Sequence, residues 1–205
     1  MDRRTTLKWV LAASALGALG RPFDAHAFAR ANPKGYGSDP DLSVNYRPGE
    51  PWPLTLTAAQ RQLAGTLSDL IIPADDHSPS ASAAGVIDFI DEWMSAPYPD
   101  CQRDRGVVLG GFAWLDEESG RRFGRDFVDL DAGEQTLVCD DICAVDGAAQ
   151  GLREAAHFFA RYRDLTAGAF YSLPVGRKDL NYIGNVPLTS FDGPPRELLK
   201  SLGLA

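Results

Sequence analysis

The chain has 205 residues and a formal net charge of −8 at pH 7, with 44% hydrophobic and 23% charged residues. This length suits one domain with its own hydrophobic core. An acidic protein has little attraction for nucleic acids or anionic lipid surfaces, so we expect neither as a partner. The three cysteines allow at most one intrachain disulfide, and the absence of a Cys-x-x-Cys-His sequence argues against covalently bound haem.

Residues 1–27 have the layout of an export signal: a charged head, an uncharged apolar stretch and a small-x-small cleavage site. The apolar residues 9–19 would rise only about 16 Å as a helix, which is too short for a hydrocarbon core of about 30 Å. The paired arginines resemble the twin-arginine signal, which exports proteins that have already folded. We therefore predict export to the periplasm by the twin-arginine translocase. The residues that define the signal are Arg3, Arg4, Leu7, Lys8, Ala25 and Ala27.

Residues 28–56 are dense in proline, glycine and turn-forming residues, which excludes a regular helix or a central strand. They also carry more apolar side chains than a solvated linker needs, among them Tyr36, Tyr46 and Trp52. We predict that this segment is an extended, ordered arm that lies either on the rest of the domain or on a partner.

Residues 57–205 show apolar residues at helical spacing. Five helices are predicted, the first from the cap Thr57 to Pro73, the second from Val86 to Pro97, and the others over 102–123, 131–145 and 158–174. Asp131 with Glu134 has the spacing of a capping box at the start of the fourth helix. In the third helix, residues 110–111 are a glycine pair that could bend it or admit a close neighbour.

The tail is turn-rich but apolar over about 174–195, and a short helix is predicted over 196–202. The sequence has no alternating run of strand length and no internal repeat. We therefore predict a mainly α fold: five or six helices in a single compact domain, orthogonal or bundle-like, with an extended N-terminal arm and an irregular C-terminal tail.

Two local clusters could hold a metal. Asp75, Asp76 and His77 share a loop between two predicted helices, and such side chains ligate divalent cations. Their simpler interpretation is local hydrogen bonding at a turn. The alternative function that follows from the first interpretation is a stand-alone periplasmic metal-binding protein or metalloenzyme.

The second cluster is Glu154-x-x-His157, which is half of the di-iron signature of four-helix bundles. The complete site needs a second such pair and two further glutamates, but only two histidines lie beyond the signal. We expect His157 to cap the helix or pack beside Phe158 instead.

Other catalytic arrangements find no support in the sequence, which lacks Gly-x-Ser-x-Gly and a dinucleotide-binding glycine motif preceded by a strand. Cys139 and Cys143 stand four residues apart on a predicted helix, which places them on one face but not necessarily in disulfide geometry. Buried free thiols are the simpler expectation for these two and Cys101, and a redox relay through Cys139 and Cys143 is the alternative. We predict no catalytic, cofactor or metal site in the isolated chain.

Residues 67–91, which include Pro73-Ala74-Asp75-Asp76-His77, resemble the signature of the gluconate 2-dehydrogenase subunit 3 family. The leader, the arm sequence 34–42 and the tail sequences 182–185 and 191–195 agree with this resemblance. It implies a non-catalytic small subunit beside a large flavoprotein of the glucose-methanol-choline type, which holds FAD, and often beside a c-type cytochrome with haem c. The arm is most similar to members paired with glucoside 3-dehydrogenase.

The resemblance also implies that the leader carries a leaderless flavoprotein across the membrane, in a complex attached to the inner membrane through another subunit. This is consistent with the pathway, because a flavoprotein that binds FAD in the cytoplasm must be exported folded. Aromatic anchors commonly dominate interfaces, although packing on their own helices is an equal alternative for these side chains. The predicted contact residues are Tyr36, Tyr46, Trp52, Tyr182 and Phe191.

Overall fold

The computed structural model describes residues 40–41, 44–182, 184, 187, 189–190 and 193–204. It divides into two units, Met1–Asn45 and Tyr46–Ala205. In the described part of the first unit, the Val44 N–H donates to the Asp41 carbonyl at 3.0 Å. The predicted residues that lie outside the described ones are Arg3, Arg4, Leu7, Lys8, Ala25, Ala27, Tyr36 and Phe191.

The described part of the second unit contains seven α-helices and no strand, which confirms the mainly α prediction. The helices are α1 (Ala58–Ile71), α2 (Val86–Ser95), α3 (Pro99–Phe123), α4 (Ala132–Asp140), α5 (Arg153–Ser172), α6 (Pro174–Asp179) and α7 (Arg196–Ser201). Short 3-10 turns, Phe127–Asp129 and Gln150–Leu152, precede α4 and α5. None of the described helices is long and apolar enough to cross a bilayer.

Two helix starts follow directly from the sequence. Thr57 accepts a hydrogen bond from the Gln60 N–H at 3.3 Å, and the Gln60 side chain accepts one from the Thr57 N–H at 3.0 Å. Asp131 and Glu134 make the same reciprocal pair at the start of α4, at 2.9 and 3.0 Å. Each capping box satisfies two backbone N–H groups that the helix cannot bond internally.

Other boundaries differ from the prediction. The third helix begins at Pro99, three residues before its predicted start, because proline is well tolerated in the first turn. The fourth ends at Asp140 instead of continuing to Val145, and the fully buried Ile142 lies in the following loop. Asp140 and Asp141 at this end oppose the helix dipole, which favours an early stop.

The segment predicted to be irregular from residue 174 begins with the short helix α6. Asn181 ends it in the left-handed region with φ 52°, and the Tyr182 N–H donates to the Arg177 carbonyl at 2.9 Å. These features are typical of a Schellman-type helix end. They fix the direction in which the chain leaves the helical body and bring Tyr182 to the surface.

The core lies between α1, α2, α3 and α5. The hydroxyl of Tyr162, a fully buried residue, donates to the Ala64 carbonyl at 2.8 Å and lies 3.0 Å from Ser68 Oγ. A buried tyrosine needs such partners, because an unsatisfied hydroxyl would cost about 1–3 kcal/mol. The largest fully buried apolar side chains are Leu67, Val86, Ile90, Met94, Val108, Leu115, Phe127, Val138, Ile142, Phe158 and Phe170.

Candidate functional site

The loop that could have held a metal forms a turn around Asp75. Its Oδ1 accepts hydrogen bonds from the N–H groups of His77 at 2.8 Å and Ser78 at 2.7 Å. The bond from His77 is the largest cause of a lowered pKa of Asp75, followed by that from Ser78. Asp76 and His77 are exposed. The geometry therefore agrees with local hydrogen bonding, and the described residues bring no three potential metal ligands together.

Glu154 and His157 lie in the first two turns of α5, and both are exposed. They line a groove between α3 and α5 together with Phe158, whose ring is buried. His157 thus lies at the mouth of this groove, facing solvent.

All three cysteines are free, but they differ in exposure. Burial is the main cause that raises the pKa of Cys139 to about 12, and burial also raises the pKa of Cys101. Cys143 is exposed, and its Sγ donates to the Asp140 carbonyl at 3.2 Å. The expectation that all three thiols are buried is therefore wrong for Cys143, as is its placement on one helix with Cys139, because α4 ends before it.

The end of the predicted arm is fixed to α2 by Glu92. The Gly49 N–H donates to its carboxylate at 2.9 Å, and the Trp52 indole N–H donates to its carbonyl at 3.0 Å. The Trp52 ring also meets Tyr98 edge-on, with centroids 5.9 Å apart. Trp52 therefore packs on its own domain, which was the alternative to its predicted contact with a partner.

Asp91 also connects the end of the arm to α2, and its side chain is fully buried. Its Oδ1 accepts from the N–H groups of Thr55 and Leu56, both at 3.0 Å, and its Oδ2 pairs with Arg61 at 2.7 Å. The sequence patterns do not predict this role. The available signal was an acidic residue directly after Ile90 on an otherwise apolar helix face.

Asp104 joins three helices. Its carboxylate accepts two hydrogen bonds from the Arg161 guanidinium, at 2.7 and 2.5 Å, and one from the Trp93 indole at 2.8 Å. Burial opposes ionisation of Asp104, but the bonds from Arg161 and Trp93 outweigh it and lower its pKa. This arrangement holds α2, α3 and α5 in register.

The exposed apolar side chains concentrate toward the end of the chain. Tyr182, one of the predicted contact residues, is 58% exposed there. Tyr46, another predicted contact residue, is 41% exposed, but it lies at the start of the second unit. Helix α7 has no buried residue, although it carries leucines. The other exposed apolar side chains of this region are Tyr171, Leu180, Leu198, Leu202 and Leu204.

The groove between α3 and α5 has a volume of about 540 Å³. Its walls are mostly apolar, and small residues of α3 form one side. A Cβ added at Gly106 or Gly110 would have no atom of the described residues within 4 Å, whereas one at Gly111 would lie 2.0 Å from the Phe158 ring. The groove is thus open above the first two glycines and closed by aromatic packing at the third.

These features define a small helical protein. Its described polar clusters form helix caps, turns, and hydrogen bonds or ion pairs between segments, and its surface exposes apolar side chains. The family model of gluconate 2-dehydrogenase subunit 3 matches residues 58–193, which is most of the chain. The chain belongs to this family, which confirms the resemblance seen in the sequence, and the family's description is that of a subunit of a dehydrogenase complex. No curated protein and no solved structure matches the chain.

Proposed function

We propose that this chain is the non-catalytic small subunit of a periplasmic, FAD-dependent sugar dehydrogenase of the glucose-methanol-choline type. The observation that carries the proposal is the family match over residues 58–193. The catalytic flavoprotein holds FAD, and a c-type cytochrome subunit with haem c passes electrons onward. The complex is attached to the inner membrane through another subunit than this chain. This chain contributes structure and transport rather than a reacting group.

The proposed transport role rests on the leader. Arg3 and Arg4 open a segment with the layout of a twin-arginine signal, and that pathway accepts folded cargo. A flavoprotein that binds FAD before export needs such a pathway but need not carry its own leader if it travels bound to this chain. The small subunit is then an escort as well as a stabilising partner.

The exposed apolar surface supports a subunit role. Tyr46 and Tyr182 present large, partly polar rings to solvent, and tyrosine is enriched at protein interfaces. Helix α7 offers Leu198 and the leucines that follow it without burying any of its residues. Surfaces of this kind are costly to leave in water and gain stability when a partner covers them.

The escort role is tested by replacing Arg3 and Arg4 with lysines in cells that produce the whole complex. We expect this chain and the flavin-dependent sugar dehydrogenase activity to remain in the cytoplasmic fraction. The control is Arg21→Lys, which makes the same kind of change outside the arginine pair. Full dehydrogenase activity in the periplasm of the double variant would refute the escort role.

The subunit role is tested separately by purifying the complex from the periplasm through this chain. We expect a stoichiometric partner with a flavin absorption spectrum, and no flavin spectrum from this chain purified alone. Flavin bound by the isolated chain would contradict the assignment of FAD to the partner. Recovery of the chain without a flavoprotein would refute the proposal as a whole.

A further inference from the structure

The tail of the chain has the opposite charge balance to the rest of the molecule. Residues 174–204 contain four cationic and three acidic side chains, a net charge of +1, whereas the whole chain has −8, so the remainder carries −9. The low affinity expected for anionic surfaces follows from the average charge of the chain and does not apply to this end. A negatively charged surface would attract the tail and repel the acidic remainder, which orients the molecule.

Helices α6 and α7 end in the same way. At the end of α7, the Leu204 N–H donates to the Leu199 carbonyl at 2.8 Å, and Gly203 is left-handed with φ 68°. This repeats the arrangement of Asn181 and Tyr182 at the end of α6. The two ends are therefore fixed by backbone hydrogen bonds, as in Schellman motifs.

Each of these ends presents a lysine, a leucine and a second large apolar side chain, spaced two residues apart. They are Lys178, Leu180 and Tyr182 at the end of α6, and Lys200, Leu202 and Leu204 at the end of α7. The four apolar side chains are between 58% and 71% exposed. The tail thus carries the same combination of apolar and cationic side chains twice.

The cations of the tail have no counter-charge of their own. Arg177, Lys178, Arg196 and Lys200 are exposed and make no ion pair with any residue that the structure describes. The first two line a pocket of about 350 Å³ together with Tyr182. Guanidinium, ammonium and phenol groups can all donate hydrogen bonds, so this pocket suits a group that accepts them, such as a phosphate.

Helix α7 is amphipathic although it buries nothing. Leu198, Leu199 and Leu202 lie along one side of it, and Arg196 and Lys200 follow each other four residues apart beside them. A helix of this length is marginal in water without packing, so a surface that accepts its leucines would stabilise it. Leucines flanked by cations are typical of helices that lie in the interface of a membrane.

We infer that the ends of α6 and α7 bind the surface of an anionic phospholipid bilayer. The leucines and Tyr182 enter the interface, and lipid phosphates contact Arg177 and the two lysines. A lipid surface fits better than a protein surface, because lysine is depleted at protein interfaces and leucine is under-represented among their hot spots. This contact adds to the attachment through another subunit. It does not depend on the proposed flavoprotein, because the family match carries that proposal whichever surface covers the tail.

The first test is hydrogen exchange of the full chain, measured peptide by peptide with and without vesicles. We expect slower exchange over residues 177–182 and 196–204 with vesicles that contain phosphatidylglycerol, and little change with phosphatidylcholine alone. Residues 132–140, which expose Leu137, are the internal control. Separate peptides distinguish the tail from the leader, whose arginines and apolar stretch are also expected to bind such vesicles. Slower exchange confined to residues 1–27 would overturn the inference.

The apolar part is tested with two exposed leucines. Leu202 belongs to the tail and is 61% exposed, whereas Leu137 of α4 is 58% exposed and lies outside it. We expect Leu202→Ser to raise at least threefold the concentration of phosphatidylglycerol vesicles that gives half of the tail protection, and Leu137→Ser to leave it unchanged. Equal values for the two variants would overturn the inference.

The cationic part is tested with Lys200→Glu against Arg153→Glu. Both wild-type side chains are exposed and make no ion pair with a described residue. We expect Lys200→Glu to weaken vesicle binding about fivefold or more at low ionic strength, and less at high salt, which screens exposed charges. Lys200→Glu that binds as tightly as Arg153→Glu would overturn the inference.

The same hydrogen-exchange measurement separates two other occupants. Inorganic phosphate that protects residues 177–182 as strongly as vesicles do would indicate a site for free phosphate and overturn the bilayer contact. Purified flavoprotein that protects residues 196–204 when vesicles do not would indicate a protein contact, which overturns this inference and supports the proposed function. Vesicle binding by a chain that recruits no flavoprotein would support the inference and contradict the proposed function.

Discussion

The ring of Phe158 lies where a side chain at position 111 would be, so that a Cβ added to Gly111 would stand 2.0 Å from two of its atoms. Phe158 is only 2% exposed and meets Phe112 edge-on, with centroids 6.1 Å apart. The Tyr162 ring lies 6.0 Å from it as well, so packed aromatic neighbours leave the Phe158 ring little room to move away. Close contact of α3 with α5 therefore depends on a residue without a side chain at this point.

Alanine substitutions at the neighbouring Gly110 and Gly111 should therefore change the free energy of unfolding in opposite directions. We expect Gly111→Ala to lower the free energy of unfolding by about 1–3 kcal/mol, because overpacking displaces the Phe158 ring. Gly110→Ala should raise it by about 0.5–1 kcal/mol, because its Cβ lies within 4 Å of no atom in the described segments and alanine favours the helix. Urea unfolding of both variants measures the difference. A stabilised Gly111→Ala variant would show that the two helices can separate freely.

Asp91 and Asp88 form a second matched pair, since both contact Arg61 but only Asp91 is buried. The side chain of Asp91 is 0% exposed and that of Asp88 is 52% exposed. We expect Asp91→Ala to cost about 3–5 kcal/mol, mainly because it leaves the N–H groups of Thr55 and Leu56 without their acceptor and also removes one partner of a partly buried ion pair. Asp88→Ala should cost about 0–1 kcal/mol. Equal losses in denaturant unfolding would contradict the dominant role of Asp91.

The comparison of sequence and structure separates local from tertiary causes. Thr57 and Asp131 could be recognised as caps because each capping box uses residues only three apart. The early end of α4 could not be predicted from its apolar stripe, because Ile142 stays buried without being helical. Apolar spacing reports which side chains are buried, but it does not show where the backbone stops being helical.

The same distinction applies to the candidate site. The local turn at Asp75 was a predictable alternative, since aspartate favours such hydrogen bonds. The hydrogen bonds from residues 55–56 to Asp91 join positions about 35 residues apart, so no local sequence pattern predicts them. The open face at Gly110 also becomes visible only in three dimensions, because Gly110 and Gly111 are identical in sequence and opposite in surroundings.

The cysteines should differ sharply in reactivity. Cys143 is exposed, whereas Cys139 is buried with its pKa raised to about 12, and Cys101 is buried with a raised pKa. Because the thiolate is the reactive form, we expect iodoacetamide to label Cys143 first in the folded protein at pH 8. Mass spectrometry of the labelled peptides identifies the site, and urea-unfolded protein provides the control in which all three react. Rapid labelling of Cys139 in the folded protein would contradict its burial.

Glu118 should make stability depend on acid pH. The pKa of Glu118 is lowered to about 2, and the hydrogen bond from Arg121 is the largest cause. Burial acts in the opposite direction, and Arg122 lowers the pKa further. A carboxyl whose pKa is lower in the folded state stabilises the fold above its ordinary pKa of 4.5, and this contribution is lost as the pH falls from 4.5 to about 2. Because solvent screens the charge of the exposed Arg121, we expect ionised Glu118 to contribute on the order of 1 kcal/mol to the free energy of unfolding.

The measurement for Glu118 is the difference in unfolding free energy between the wild type and Glu118→Gln at several pH values. The wild type should be the more stable protein at pH 6, and its advantage should shrink steadily toward pH 3. Glu117→Gln is the control, because its exposed carboxylate makes no ion pair in the described part of the chain. A difference for Glu118→Gln that is constant with pH would exclude the ion pairs as its cause.

Asp116 should make stability depend on pH in the opposite direction to Glu118. Burial is the largest cause that raises its pKa, the charges of Asp126 and Asp129 add to it, and the hydrogen bond from the Phe127 N–H opposes it. A carboxyl whose pKa is raised on folding contributes most below its unfolded pKa of 3.8, and the contribution falls as the pH rises through the folded value. Charge at this site therefore destabilises the fold at neutral pH.

Asp116→Asn isolates this effect, because the amide oxygen can still accept from the Phe127 N–H, now 3.1 Å from Oδ1, while the charge is removed. We expect the variant to be more stable than the wild type at pH 7 and the gain to vanish toward pH 3. The two substitutions, at Glu118 and Asp116, then change stability in opposite directions although both remove one negative charge from the same turn of α3. If both variants changed stability in the same direction at pH 7, net charge rather than local environment would control the acid response of this helix.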